Sequence, residues 1–208
     1  MKRWILTVGI AAVVAVSALG AGGSTWQIDP AHSNAQFVVR HMGISNVQGD
    51  FTKISGTVEY DEKDVAKSSV NATIDVGSVD TRVEGRDKDL KSANWFDVDK
   101  YPTITFHSKK AWKEGDGLKV SGDLTIHGVT KEVTLDVTGP TAAVKDPWGN
   151  NRRGLSAATK VNRQDFGLVF AGKTPGGDAV VGDSCLLYTS RRPWRRRLIL
   201  QYGCIGLS

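Results

Sequence analysis

The sequence predicts an all-β fold, an antiparallel barrel of about eight strands with one short helix packed alongside. Three observations predict it. Apolar residues recur at alternate positions through most of residues 26–183, which is the period of strands with one dry face and one wet face. Gly, Pro, Asn and Asp clusters punctuate these runs at turn-like spacing. A single stretch, Asp80 to Ser92, drops the period and gathers charge instead.

In chain order, Trp26-Gln27-Ile28 and Asn34 to His41 read as strands around the turn-rich Asp29 to Ser33, with Ala35, Phe37 and Val39 in phase. Gly43 to Asp50 reads as a loop or bulged connection. Phe51 to Tyr60 follows, with Ile54, Gly56, Val58 and Tyr60 in phase, and a glycine inside a strand suggests a bulge at Gly56. After a charged turn at Asp61 to Lys67, Val70, Ala72, Ile74 and Val76 alternate. In Asp80 to Ser92, Val83 and Leu90 are seven apart and share a helical face. Asp80 or Thr81 can cap that helix.

Trp95-Phe96 follows the helix, and Tyr101-Pro102 opens the strand Thr103 to Lys109. Proline is tolerated there because the ladder has barely begun. Leu118, Val120, Leu124 and Ile126 alternate, His127-Gly128 turns the chain, and Val133, Leu135 and Val137 alternate again. Two such runs about a Gly-containing turn make a β-hairpin. Gly139-Pro140 breaks the pattern and Asp146 to Asn151 forms a loop. Arg153 to Val161 is again strand-like, Leu168 to Phe170 is apolar, and Val180-Val181 begins a last strand.

The two ends differ from the body. Lys2-Arg3, the apolar Trp4 to Leu19 and the small residues Ala18 to Gly23 have the three-part layout of a secretory signal peptide over residues 1–21. No cysteine follows the apolar run, so a lipid anchor is not indicated, and after cleavage no transmembrane span is expected. The barrel is assigned to residues 22–183. Residues 184–208 hold five arginines, both cysteines and no acid. They read as an atypical basic tail, non-native or disordered, with order expected to end between Asp183 and about Ser190. A periplasmic or secreted location follows from the leader.

The formal charge of +5 is misleading. Setting aside Lys2, Arg3 and the five tail arginines, the body carries 20 basic against 22 acidic residues, about −2. Nucleic-acid binding by residues 22–183 therefore has no electrostatic support. No metal site is expected, because His32, His41, His107 and His127 show no ligand spacing. His32 and His41 flank one strand and are candidates for polar groups at a pocket mouth. There is no nucleophile elbow, phosphate loop or dinucleotide fingerprint, so no catalytic residue is assigned.

What remains is the dry face. Its larger members are Phe37, Val39, Phe51, Val58, Ile74, Leu90, Trp95, Phe96, Ile104, Phe106, Leu124, Ile126, Leu135 and Phe166. A barrel of this size can be filled by such side chains or can hold one ligand between them. Ten buried methylenes give roughly 8 kcal/mol. Association costs at least ~4 kcal/mol, which leaves about millimolar affinity. A carrier relying on apolar contact thus needs a long chain or a good polar anchor in its ligand.

Five stretches together carry a resemblance: WQIDPAHSNAQFVVRH, GDFTKISGTVEYD, GRDKDLKSANWFDVDKYPTITFHS, LTIHGVTKEVTLDV and NRQDFG. In their order and spacing, residues 26–183 resemble the YceI-like family. The resemblance implies a lipocalin-like extended barrel with a helix alongside. It implies a polyisoprenoid or quinone-type lipid in an apolar lumen, a periplasmic binding role and no enzymatic activity. It adds no cofactor beyond that lipid and leaves a homodimer open. The alternative is a stress-associated secreted protein with a filled barrel and no ligand. From Ser184 onward the match to the family's closing strand stops.

Overall fold

A computed structural model describes residues 23–190. The signal-peptide expectation for residues 1–21 and the tail from residue 191 lie outside them. In chain order the elements are β1 (Ser24–Gln27), β2 (Asn34–His41), β3 (Ser45–Phe51), β4 (Ile54–Tyr60), β5 (Ser69–Asp75), β6 (Val79–Asp80) and α1 (Glu84–Lys91). There follow β7 (Thr103–Glu114), β8 (Gly117–Ile126), β9 (Val129–Thr138), β10 (Val144–Lys145), β11 (Asn151–Arg152), β12 (Ser156–Asn162) and β13 (Val181–Ser190). One sheet runs β1-β4-β5-β7-β8-β9-β12-β13-β2-β3-β6, and β10 with β11 forms a separate small hairpin. The pairings are antiparallel and the sheet curls into a half-barrel, so that β3 and β4 contribute Phe51 and Ile54 to one core. The expected all-β barrel with a short helix is what the chain adopts.

The β8–β9 hairpin shows why alternation fixes the faces. His127 and Gly128 both have positive φ, 51° and 75°, which matches the right-handed twist of the strands they join. The turn sets Ile126 opposite Val129 and Leu124 opposite Lys131. The polar residues between meet on the outer face. There Lys109 Nζ reaches Asp123 at 2.6 Å and Glu132 at 3.0 Å, and Thr125 and Thr130 share a hydrogen bond of 2.8 Å. Such exposed pairs contribute little to stability, but they hold the register that turns Leu124 and Ile126 inward.

Four expectations are corrected. Gly43 to Asp50 is not a loop or bulge: Ser45–Phe51 is a full strand in register with β2. Gly56 sits in an unbroken β4–β5 ladder. Its glycine is needed for close approach, since a Cβ there would lie 2.0 Å from the Asn71 carbonyl oxygen and φ is +146°. The helix is shorter than Asp80 to Ser92, and neither Asp80 nor Thr81 caps it. Val83 takes the N-cap position without a side-chain bond, Asp80 accepts from the Arg82 N–H, and Asp87 reaches back to the Thr81 N–H at 2.8 Å. Val83 is 49% exposed, while Leu90 packs on the core.

The fourth concerns the end of the barrel. The last strand does not stop at Asp183. β13 continues through Ser190 and fills the place between β12 and β2. Cys185 and Leu187 pack against the core while Leu186, 43% exposed, points away. NRQDFG secures the preceding corner. The Asn162 side chain accepts from the Gln164 N–H, and Gly167 ends the turn at φ 77°. Arg163 is buried and donates to the carbonyls of Val181 and Gly182 and to Asp183.

Candidate functional site

The register assembles the predicted dry face on the concave side of the sheet. Ile54, Ile74 and Ile104 lie in one lane across β4, β5 and β7. Phe106 sits beside Leu124, and Val120 beside Leu135. Leu187 brings the far side round to Phe37, and Cys185 pairs with Val39. These paired residues share the concave face, but they are not covered equally.

One end is packed with aromatic side chains. Phe51, 2% exposed, lies 5.6 Å from the Phe37 ring and 5.7 Å from Phe96, the latter edge-on. Ile104, Phe106, Leu124, Ile126 and Phe166 are buried with them. Leu90 from α1 packs on the same group, and the Phe96 N–H donates to its carbonyl at 3.0 Å. Trp95 seals this end from outside. Its ring lies 4.8 Å from Phe170, its Nε1 donates to Asp89 at 2.8 Å, and the Arg163 guanidinium sits 5.8 Å from its centre.

Along the strands the packing loosens. On β8, Ile126, Leu124 and Gly122 are buried, whereas Val120 and Leu118 are half-buried. On β4, Ile54 is buried but Val58 and Tyr60 are half-buried. Val70, Val133 and Leu135 are also only partly covered. These residues form an apolar belt, interrupted by the buried Ala111 and Val137, toward the end where β9 leaves the sheet for the 139–155 excursion.

The two histidines do not converge. His32 precedes β2 and its Nδ1 shares a hydrogen bond of 2.8 Å with Asp29, while His41 ends the same strand opposite Ser45. Sequence reasoning instead missed the polar group nearest the belt. Trp26 pairs with Val58 and shares its face with Tyr60, and the Arg153 guanidinium lies 5.2 Å from the Trp26 ring and 5.5 Å from Tyr60. Arg153 also binds Glu62 through Nη2. The available signal was the in-phase Tyr60 in β4, but nothing local to Arg153 announces a partner some ninety positions away. Val70, Val120 and Val133 were visible as alternating residues. Cys185 and Leu187 were hidden by the composition of the tail.

Burial pushes the Cys185 thiol up to about 11, although the Val38 backbone N–H and the Arg163 charge act in the opposite sense. At pH 8 the group is therefore held as the unreactive thiol. Iodoacetamide is expected to modify Cys185 at least tenfold more slowly in native protein than in urea, by peptide mass spectrometry. Equal rates would place Cys185 outside the concavity and void the β13 register.

Among the described residues no group of three His, Cys, Asp or Glu is placed to hold a metal ion, and no helix is long and apolar enough to cross a membrane. The YceI-like domain model matches residues 26–188. A UPF0312 protein of Vibrio cholerae is 38% identical over 175 residues, covering 83% of this chain and 92% of that one. The chain belongs to the YceI-like family. The crystal structure of Burkholderia cenocepacia BcnA superposes with a TM-score of 0.66 at 25% identity, over 78% of this chain and 96% of that one. A polyisoprenoid binding domain from Saccharophagus degradans shares the fold, with a TM-score of 0.52 at 16% identity over 81% and 98% of the two chains. The family match runs to residue 188, five residues past the barrel boundary expected from sequence.

Proposed function

We propose that the chain is a binding module that holds a long-chain amphiphilic lipid, of polyisoprenoid or quinone type, in the concavity of its barrel. The observation that carries this reading is the belt of half-buried apolar side chains, Val58, Val70, Val120, Val133 and Leu135, beside a fully packed end. A filled core buries its apolar side chains, whereas a face awaiting an apolar chain leaves them partly covered. The Saccharophagus domain with the same fold is described as polyisoprenoid binding, which supports the choice of lipid. The apolar leader at Trp4 to Leu19 supports a periplasmic location. Binding rather than catalysis fits histidines engaged in local structure, His107 with Asn71 on the outer face and His127 edge-on against Tyr101 at the hairpin turn.

The packed aromatic end favours a second reading, a stress-associated protein with a filled barrel. Gentle purification followed by native mass spectrometry and lipid extraction separates the two. A stoichiometric adduct of long-chain lipid mass is expected. Repeated ligand-free spectra, with no uptake of added polyprenol by folded protein, would favour the filled barrel.

A further inference from the structure

Trp148 is 82% exposed, the largest exposure among the large apolar side chains of the described residues that stand out. It is not on a loose loop. The Asp146 carboxylate accepts from the Trp148 N–H at 3.0 Å, the Asn150 N–H at 2.9 Å, the Asn150 side chain at 3.1 Å and Arg152 Nε at 3.0 Å. Burial pushes that carboxyl up, but these hydrogen bonds outweigh it and hold it at about 2. The turn is thus built around a permanent anion that fixes the backbone on both sides of the indole.

The hairpin carrying this turn is strapped over the loosely packed end of the barrel. Arg152 Nη1 reaches Asp29 at 2.8 Å, before β2. Arg153, the next residue, lies against Trp26 and Tyr60 on the concave face. Val144, 55% exposed, and the exposed Lys145 form β10, the strand that leads into the turn. An exposed indole in a hydrogen-bonded turn, with an exposed aliphatic residue and a lysine in the strand before it, has the chemistry of the bilayer interface, where Trp is enriched. Aliphatic area that water would otherwise wet is covered there, and the ammonium reaches the headgroups.

We propose that the Trp148 turn is a membrane-docking tip, which sets the loosely packed end of the barrel against a lipid bilayer so that a long chain can pass between them. The inference rests on the lipid-binding reading, because a cargo that resides in a bilayer must be collected from one. The occupant is a bilayer rather than a protein because an exposed indole with an aliphatic residue and a lysine near it in the chain matches the interface chemistry, and the hairpin that carries them lies against Trp26 and Tyr60 beside the apolar belt.

The test uses the full chain with phosphatidylcholine vesicles, whose neutral surface gives the arginines of residues 191–197 little electrostatic attraction. Hydroxyl-radical footprinting reads Trp148 directly. Its oxidation is expected to slow at least fivefold with vesicles, while Met42, in the β2–β3 turn at the opposite end of the strands, changes less than twofold. Trp148→Ser is expected to slow extraction of a fluorescent polyprenol from those vesicles at least tenfold. Uptake of the same polyprenol from detergent micelles should stay within twofold of the parent protein. Undiminished Trp148 oxidation with vesicles overturns the proposal. So does protection that is present before vesicles are added, which would mean that another segment or a second copy covers the tip. If the parent protein loads by neither route, the lipid-binding reading fails, and the footprint still decides whether the tip docks.

Discussion

Truncation after Asp183 is expected to abolish cooperative folding, whereas truncation after Ser190 should leave the unfolding midpoint nearly unchanged. Ser184 to Thr189 pair with β12 and Cys185 to Ser190 pair with β2. Removing them turns two interior strands into edges with unpaired donors and acceptors. It also removes Leu187 and Cys185 from the core. Losing a fully buried leucine side chain costs roughly 2–5 kcal/mol, and the partly buried Leu187 contributes the lower part of that range. Together with the ladder this exceeds the ~5 kcal/mol at the low end of whole-domain stability. Urea titration followed by circular dichroism checks both forms. A cooperative transition retained by the Asp183 truncation would show that the barrel closes without β13.

That strand also shows where sequence reasoning stopped. The β8–β9 hairpin was legible because polar and apolar residues separate cleanly and His127-Gly128 supplies a recognisable turn. In β13 the inward lane is Cys185, Leu187 and Thr189, but the outward lane holds Leu186 and Tyr188. With apolar residues on both faces the period of two disappears. The neighbouring arginines then coloured the whole segment. β3 was missed for the opposite reason. Its inward lane is Val47, Gly49 and Phe51, and Gly49 leaves a gap in the pattern. The structure explains the gap: a Cβ at Gly49 would meet the Phe37 ring at 2.3 Å. Glycine in the strand makes room for the aromatic side chain opposite.

The concave lining was legible as a set, because register follows from alternation. Its division into a packed end and a half-covered belt was not. Phe37 and Val58 hold equivalent places in their strands, yet only Phe37 is met by Phe51 and the Phe96 edge beyond it. Phe96 arrives from the coil after α1, whose path no period records. The strap over the loose end was equally hidden, since Asp29 and Arg152 are 123 residues apart.

Replacing Arg163 by Met is expected to destabilise the protein by about 3 kcal/mol, the upper scale for leaving buried carbonyls without their donor. The sequence offered NRQDFG only as part of a family pattern; the structure gives its arginine a physical role. Arg163 is 6% exposed and donates through Nη1 to the Leu168 carbonyl, through Nε to Gly182 at 3.1 Å and through Nη2 to Val181 at 3.2 Å. Nη2 also reaches Asp183 at 2.9 Å. One side chain thus ties the 3-10 turn to the first residues of β13 while lying beside Trp95. Methionine can fill much of the space but leaves three carbonyls without this donor. Lysine keeps the charge and not the planar fork, so Arg163→Lys should recover only part of the loss. The readout is urea denaturation of the three proteins, together with iodoacetamide labelling of Cys185, four residues after the Val181 anchor. Met is expected to lower the midpoint most and to raise the native labelling rate at least tenfold, with Lys between it and the parent. If Arg163→Met melts like the parent and Cys185 stays protected, β13 is held by its ladders alone and the guanidinium is dispensable.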